Sequence, residues 1–331
     1  MNNKLSKLRT AVLASSAVVA LSAAGSVNAE TDLLNYSIIS GGEVNVAAQP
    51  EISGKNVGGD LAAQAALIIG ANTTANNIYA GAAVTTGDGS QVKHIHAGAA
   101  AGVGANAVAY DVTADAAVVV GANGAVRDIS AGAAITLGAG ATYRNITKST
   151  AITFGAGSAV ETESAQIEDF TVGGVANAAD MTAKMNKIKD ELGTEHVLAN
   201  VEPNKDLSGL ILDGRSMGTN TFYFSAVNIT ADATLHIVSN VTIITSEAVT
   251  LGAGASINMY NGSKVKWILG GALNLGAGTK WQGETYVKGA VNASTSDVCG
   301  NIFATGPVSV RSIGDESKCV ATANQPTYDQ Q

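Results

Sequence analysis

A glycine recurs at one constant interval, at Gly70, Gly87, Gly104, Gly121, Gly138 and Gly155, and no other feature of the chain restricts its fold as much. The residue before each is Ile69, Thr86, Val103, Val120, Leu137 or Phe154, and two positions earlier stand Leu67, Val84, Ala101, Val118, Ile135 and Ile152. Apolar side chains two apart, followed by glycine, describe a short strand that ends in a turn. Further along each unit, a second apolar position holds Ile78, Ile95, Val112, Ile129 or Ile146, and Ala80, Ala97, Ala114 and Ala131 follow two later. A strand, a helix and a crossover need about 30 residues, so each 17-residue unit suits one turn of a small triangular coil. Stacked coils pair each strand with its equivalent one repeat away, about 4.8 Å along the axis, and six of them make a rod of about 29 Å.

Composition agrees with a narrow interior. The chain has 38 glycines, only 5% aromatic and 14% charged residues, and small side chains fill only a thin core at native packing density. The predicted fold is an all-β, right-handed parallel β-solenoid with regular 17-residue coils in the N-terminal half and one α-helix packed alongside. Asn77, His94, Asp111, Asp128 and Asn145 recur in one phase of the unit, where they read as turn-forming side chains bonded to local backbone.

The N-terminus has the pattern of a bacterial secretory leader: Lys4, Lys7 and Arg9, an apolar stretch from Ala11 to Ala24, and a small-residue cleavage site at Val27-Asn28-Ala29. Residues 1–29 are therefore expected to be removed near Ala29 and the chain exported, to the periplasm or beyond, without membrane insertion. Loss of three of the 19 basic residues leaves 16 against 27 acidic ones, a balance that speaks against nucleic acid as a partner. Cys299 and Cys319 are the two cysteines, and an oxidising compartment predicts one disulfide between them. In the chain-entropy model it contributes about 3 kcal/mol for a loop of roughly 20 residues.

Residues 30–64 read as an N-terminal cap or first coil, and 65–163 as the six regular coils. An amphipathic helix over about 180–192 follows, with Met181, Met185, Ile188 and Leu192 on one stripe and Gly193 as its stop. Strand character returns after Leu207, and the earlier unit reappears at Ala248-Val249-Thr250-Leu251-Gly252-Ala253-Gly254 and Ala272-Leu273-Asn274-Leu275-Gly276-Ala277-Gly278. Gly252 and Gly276 stand farther apart than the glycines of the first half, so wider coils are expected, filled by Phe222, Phe224, Trp267 and Trp281.

The order of helix, Asp206-Leu207-Ser208-Gly209, Thr221-Phe222-Tyr223-Phe224-Ser225, then Val265-Lys266-Trp267-Ile268-Leu269-Gly270-Gly271 and Trp281-Gln282-Gly283 resembles the bacterial and fungal ice-binding proteins with a discontinuous β-solenoid. The likeness spans about residues 170–312, assigning 164–312 to an ice-binding-like solenoid and 313–331 to a tail. It implies a triangular solenoid with one flanking helix. Six regular coils before the helix and a C-terminal cysteine pair depart from the family pattern.

The expected function is non-enzymatic binding of ice or another extended surface through a flat solenoid face. Outward positions on that face are Ile68, Thr85, Gly102, Val119, Thr136 and Thr153, with Thr242, Thr250 and Asn274 in similar positions later. Thr85, Thr136, Thr153, Thr242 and Thr250 are the candidate surface-binding residues. An extracellular filament, biofilm-matrix or adhesion protein that self-associates end to end is the alternative. No catalytic set, cofactor motif or metal site is predicted: His94 and His96 point to one side of a strand without Cys, Asp or Glu at ligand spacing.

Overall fold

The structure is a computed structural model that describes residues 33–49, 57–160, 178–193, 205–260 and 262–314. The chain divides into two units, Met1–Asn35 and Tyr36–Gln331, and the second carries the fold. The expected leader, and Cys319 as the expected partner of Cys299, lie outside the described residues. Cys299 itself is buried in strand Val291–Ala304.

The second unit is an all-β parallel solenoid with one long α-helix alongside. Each coil contributes to three faces. In one coil, strand Leu67–Ile69 lies on face 1, Thr74–Ala75 on face 2 and Ile78–Ala80 on face 3. In the next, Val84–Thr86 forms face 1, and Gln91–Ala97 bends from face 2 into face 3. Registers repeat with the period of the glycines, placing Asp111 beside Asp128, Val112 beside Ile129 and Val118 beside Ile135.

The glycine column is vertically aligned, and its cause is steric. A Cβ on Gly104 would stand 2.5 Å from the carbonyl carbon of Gly87, and one on Gly155 would stand 2.5 Å from that of Gly138. The backbone of each coil thus passes directly over the glycine corner of the one below. Two positions on, each corner enters the left-handed region, at Asn72, Gly89, Asn106, Asn123, Gly140 and Gly157 in turn. Asparagine and glycine are the residues that tolerate it.

Chain order and spatial order differ. Strand Tyr36–Ser40 lies between Asp60–Ala63 and the end of Val291–Ala304, with Ile39 beside both Ala62 and Phe303. Strand Val44–Val46 likewise lies between Leu67–Ile69 and Val308–Ile313. The strands of the segment expected as an N-terminal cap or first coil thus occupy an interior position between the two halves, and one hydrophobic core runs through both.

Coil lengths explain where the halves meet. On face 1 the steps from Val227 to Val249 and from Val249 to Leu273 are longer than those of the regular coils. The next step, from Leu273 to Val291, is shorter, and the one from Val291 to Val308 reaches the 17-residue perimeter of the regular coils. Strands Tyr36–Ser40 and Val44–Val46 can therefore pair on that last coil in register. The wide coils are filled by Trp267 and Trp281, whose rings lie 4.4 Å apart and are buried. Their indole N–H groups donate to the Gln282 carbonyl at 3.0 Å and to the Thr285 hydroxyl at 2.9 Å, as buried indoles require.

The helix, α1, spans Ala178–Gly193 and buries Met181, Met185 and Ile188. Its length is about 24 Å, or about five coil spacings, and α1 packs on face 3 around the junction of the halves. The Lys184 ammonium lies 4.9 Å from the Tyr36 ring, and Lys266 pairs with Glu191 at 2.6 Å. Outward residues Ile39, Phe303, Tyr286 and Ile268 are buried there. Among the described residues no helix is long and apolar enough to cross a membrane.

Two glycines of a single coil provide a test. Gly104→Val is expected to destabilise by about 1–3 kcal/mol or more, because backbone must move. Gly102→Ala, whose Cβ would meet nothing nearer than Thr85 Cγ2 at 3.9 Å, is expected to leave stability unchanged or raise it by about 0.4–1 kcal/mol. Urea unfolding of the two variants measures both.

Candidate ligand-binding face

Face 1 presents one outward side chain per coil between two inward ones. The column begins Asp206, Asn228, Thr250, Asn274, Asn292, Ser309. It crosses to Asn45 and continues Ile68, Thr85, Gly102, Val119, Thr136, Thr153. Those are 13 rungs over about 58 Å at the ordinary strand spacing. Every rung is exposed or half-buried, and all but Asp206 are uncharged.

In the regular coils local sequence keeps the margins of this face low. Ala82-Ala83, Ala99-Ala100 and Ala116-Ala117 precede the strand, and Gly104-Ala105, Gly121-Ala122 and Gly138-Ala139 follow it. No long side chain rises from these corners beside the column. Threonine, valine and isoleucine have restricted χ1 rotamers, and the Asn274 Oδ1 accepts from the Asn292 amide at 2.7 Å. The face is thus a preorganised, uncharged strip of hydroxyl, methyl and amide groups.

Thr85, Thr136, Thr153 and Thr250 all stand in this column. Thr242 does not: it pairs with Thr221 and Lys266 on face 3, the face α1 packs against. Its outward phase suggests an equivalence with Thr250 that the coil geometry removes, because alternation distinguishes in from out but not one face from another. Asn45, Asn228, Asn292 and Ser309 are rungs that the threonine pattern did not single out. Their signal is the triplet of apolar, polar and apolar residues in Val44-Asn45-Val46, Val227-Asn228-Ile229, Val291-Asn292-Ala293 and Val308-Ser309-Val310.

Charged groups gather elsewhere, at the bend between faces 2 and 3. His94, Asp111, Asp128 and Asn145, expected as turn residues bonded to local backbone, are instead rungs within strands whose side chains contact one another, whereas Asn77 lies between two strands. His94 Nδ1 lies 2.8 Å from Asp111, the Arg127 guanidinium donates to both Asp111 oxygens at 2.7 Å, and it reaches Asp128 at 2.9 Å. Asn145 donates to Asp128 at 2.7 Å and Arg144 at 3.2 Å. Burial works against the Asp128 charge, yet Asn145, Arg144 and Arg127 together hold its carboxyl below the ordinary carboxylate value. At the other end of the ladder burial pushes the Asp60 carboxyl up, despite hydrogen bonds from Asn77. His96 stacks on Tyr79 with ring centroids 5.3 Å apart, so the two histidines, although on one side of their strand, serve different neighbours.

No protein-family model and no curated protein sequence matches the chain. Among solved structures, an ice binding protein from an Antarctic bacterium of the Flavobacteriaceae aligns over 85% of this chain and 96% of its own length, at 12% identity and a TM-score of 0.26. A score at that level says nothing about function, and what this chain does must be read from its own geometry.

On face 2, His236 Nδ1 is 2.8 Å from the Tyr260 hydroxyl and the rings stack. Burial holds this imidazole below its ordinary value of 6.5, so in that window the unfolded chain binds more protons than the folded one. The contribution of neutral His236 is whole above about 6.5 and is lost as pH falls below it. Wild type is expected to lose more stability than His236→Gln between pH 7 and 5, measured by denaturant unfolding at each pH.

Proposed function

We propose that this chain is a non-enzymatic, exported protein that binds ice through face 1. The observation that carries the reading is the column of 12 uncharged rungs, from Asn228 to Thr153, standing clear of α1 on a flat strip. A rigid prism repeats its groups at about 4.8 Å, and its ligand must likewise be extended, rigid and repetitive. Ice offers such a plane, with oxygen acceptors and donors for the hydroxyls and amides and shallow hollows for the methyls.

Charge separates this reading from others. The chain carries a formal net charge of -8, yet face 1 is almost free of charge, which suits a neutral lattice better than an anionic polymer or a lipid surface. Acid–base chemistry is a poorer fit. Asp111, Asp128 and His94 are tied up in ion-pair contacts, His94 with Asp111 and Arg127 with both carboxylates, in a ladder at the bend of faces 2 and 3.

Purified protein is expected to inhibit ice recrystallisation and to produce thermal hysteresis. Thr136→Lys and Thr85→Lys put a charge and a long side chain on the strip and are expected to weaken both effects about tenfold, the scale of 1.4 kcal/mol in affinity. Thr113→Lys, at an exposed position on face 3, is expected to leave them unchanged, and Gly102→Thr to strengthen them. Equal effects of the lysines on the two faces, or no activity of wild type at high concentration, would sink the reading.

A further inference from the structure

The two ends of the solenoid are finished differently. In the first coil of the stack the inward residues Leu207, Leu212 and Phe224 are 1%, 3% and 5% exposed. In the last, Ile152, Phe154 and Val160 are 40%, 54% and 53% exposed. Position in the register shows what is missing. Ile152 stands over Ile135 and Phe154 over Leu137, which are 0% and 1% exposed. The same columns, one rung lower, are fully buried, so among the described residues what is lacking is the next coil.

We infer that this open end docks the same end of a second copy, giving a closed two-fold dimer. An occupant must present strand segments on all three sides of a 17-residue perimeter, with apolar residues at alternate positions. The chain's own last coil has that edge, in strands Ala151–Phe154, Ala159–Val160 and the end of Thr142–Lys148. Among the described residues, Ala151–Phe154 pairs only with Ala134–Leu137, which leaves one side of its backbone to pair. Sheet edges accept antiparallel as well as parallel neighbours, and a two-fold axis brings identical edges together antiparallel. The molecule already contains one coil-on-coil joint between segments distant in the chain, where Val44–Val46 pairs with Val308–Ile313. Because the inward residues at the far end are buried, association stops at two copies, and a two-fold contact is the commonest closed form. Face 1 of each copy would then continue the other, doubling the length of the strip; the dimer does not depend on what that strip binds.

Sedimentation velocity of the purified full chain over a wide concentration range is expected to show a dimer and nothing larger. Ile152→Lys with Phe154→Lys is expected to give a monomer with unchanged circular dichroism, and Met217→Lys, exposed at the far end, to leave the dimer intact. A second measurement needs no change at the edge. Spin labels at Thr153→Cys should report a short distance between copies, and labels at Asp206→Cys none. A wild type that stays monomeric overturns the inference, including the case in which residues 161–177 of the same chain protect the amides of Ala151–Phe154 from exchange. Open-ended filaments, or a dimer that survives the two lysines, overturn it as well. Loss of recrystallisation inhibition with an intact dimer would count against the ice reading alone.

Discussion

Backbone lying directly on backbone at the glycine corners is the contact on which the rest of this molecule depends. In the regular coils a corner that carried a Cβ would press on the backbone of the coil below and could not settle to the spacing that strand hydrogen bonds require. Gly87 beneath Gly104 and Gly138 beneath Gly155 meet that condition by having no side chain at all. Once the corners stack, every other position stacks with them. The interior then becomes a set of apolar columns, such as Leu67 and Val84 beneath Ala101, and the exterior a set of polar ones.

Column formation has different consequences on different faces. Where like charges recur, stacking brings carboxylates close, and the ladder at the bend of faces 2 and 3 answers with Arg127 set between Asp111 and Asp128. Buried or half-buried charges of this kind are tolerable only when paired. On face 1 no such compensation is needed because the rungs are neutral. The same stacking that forces a salt-bridged ladder on one edge produces an uninterrupted neutral strip on another, and the two cannot exchange places without leaving charges unpaired.

Widening and narrowing of the coils gives the molecule its odd connectivity. Large side chains, above all the Trp267 and Trp281 pair, hold the C-terminal coils open, and the perimeter has shrunk to that of the regular coils by the step from Val291 to Val308. That final coil is an edge the N-terminal stack matches. Helix α1 covers the joint on face 3, burying Phe303 and Ile39 from the two sides of the junction.

Much of this was legible in the residues themselves. The recurrence of glycine, the in and out alternation at Ile135-Thr136-Leu137, and the helix stripe of Met181, Met185 and Ile188 are local patterns, set by side chains near one another in the chain, and they determined the solenoid, its coil length and its helix. What the tertiary structure alone decided was how the coils are ordered and which outward positions share a face. Ser40 donates to the carbonyl of Gly306 at 2.7 Å, from opposite ends of the described chain, and no periodicity records such a pairing. The same limit explains Thr242 and Asn45. Alternation tells whether a side chain leaves the core, but the face it leaves from depends on where the coil turns, and in coils of unequal length that is settled only when the perimeters are laid on one another.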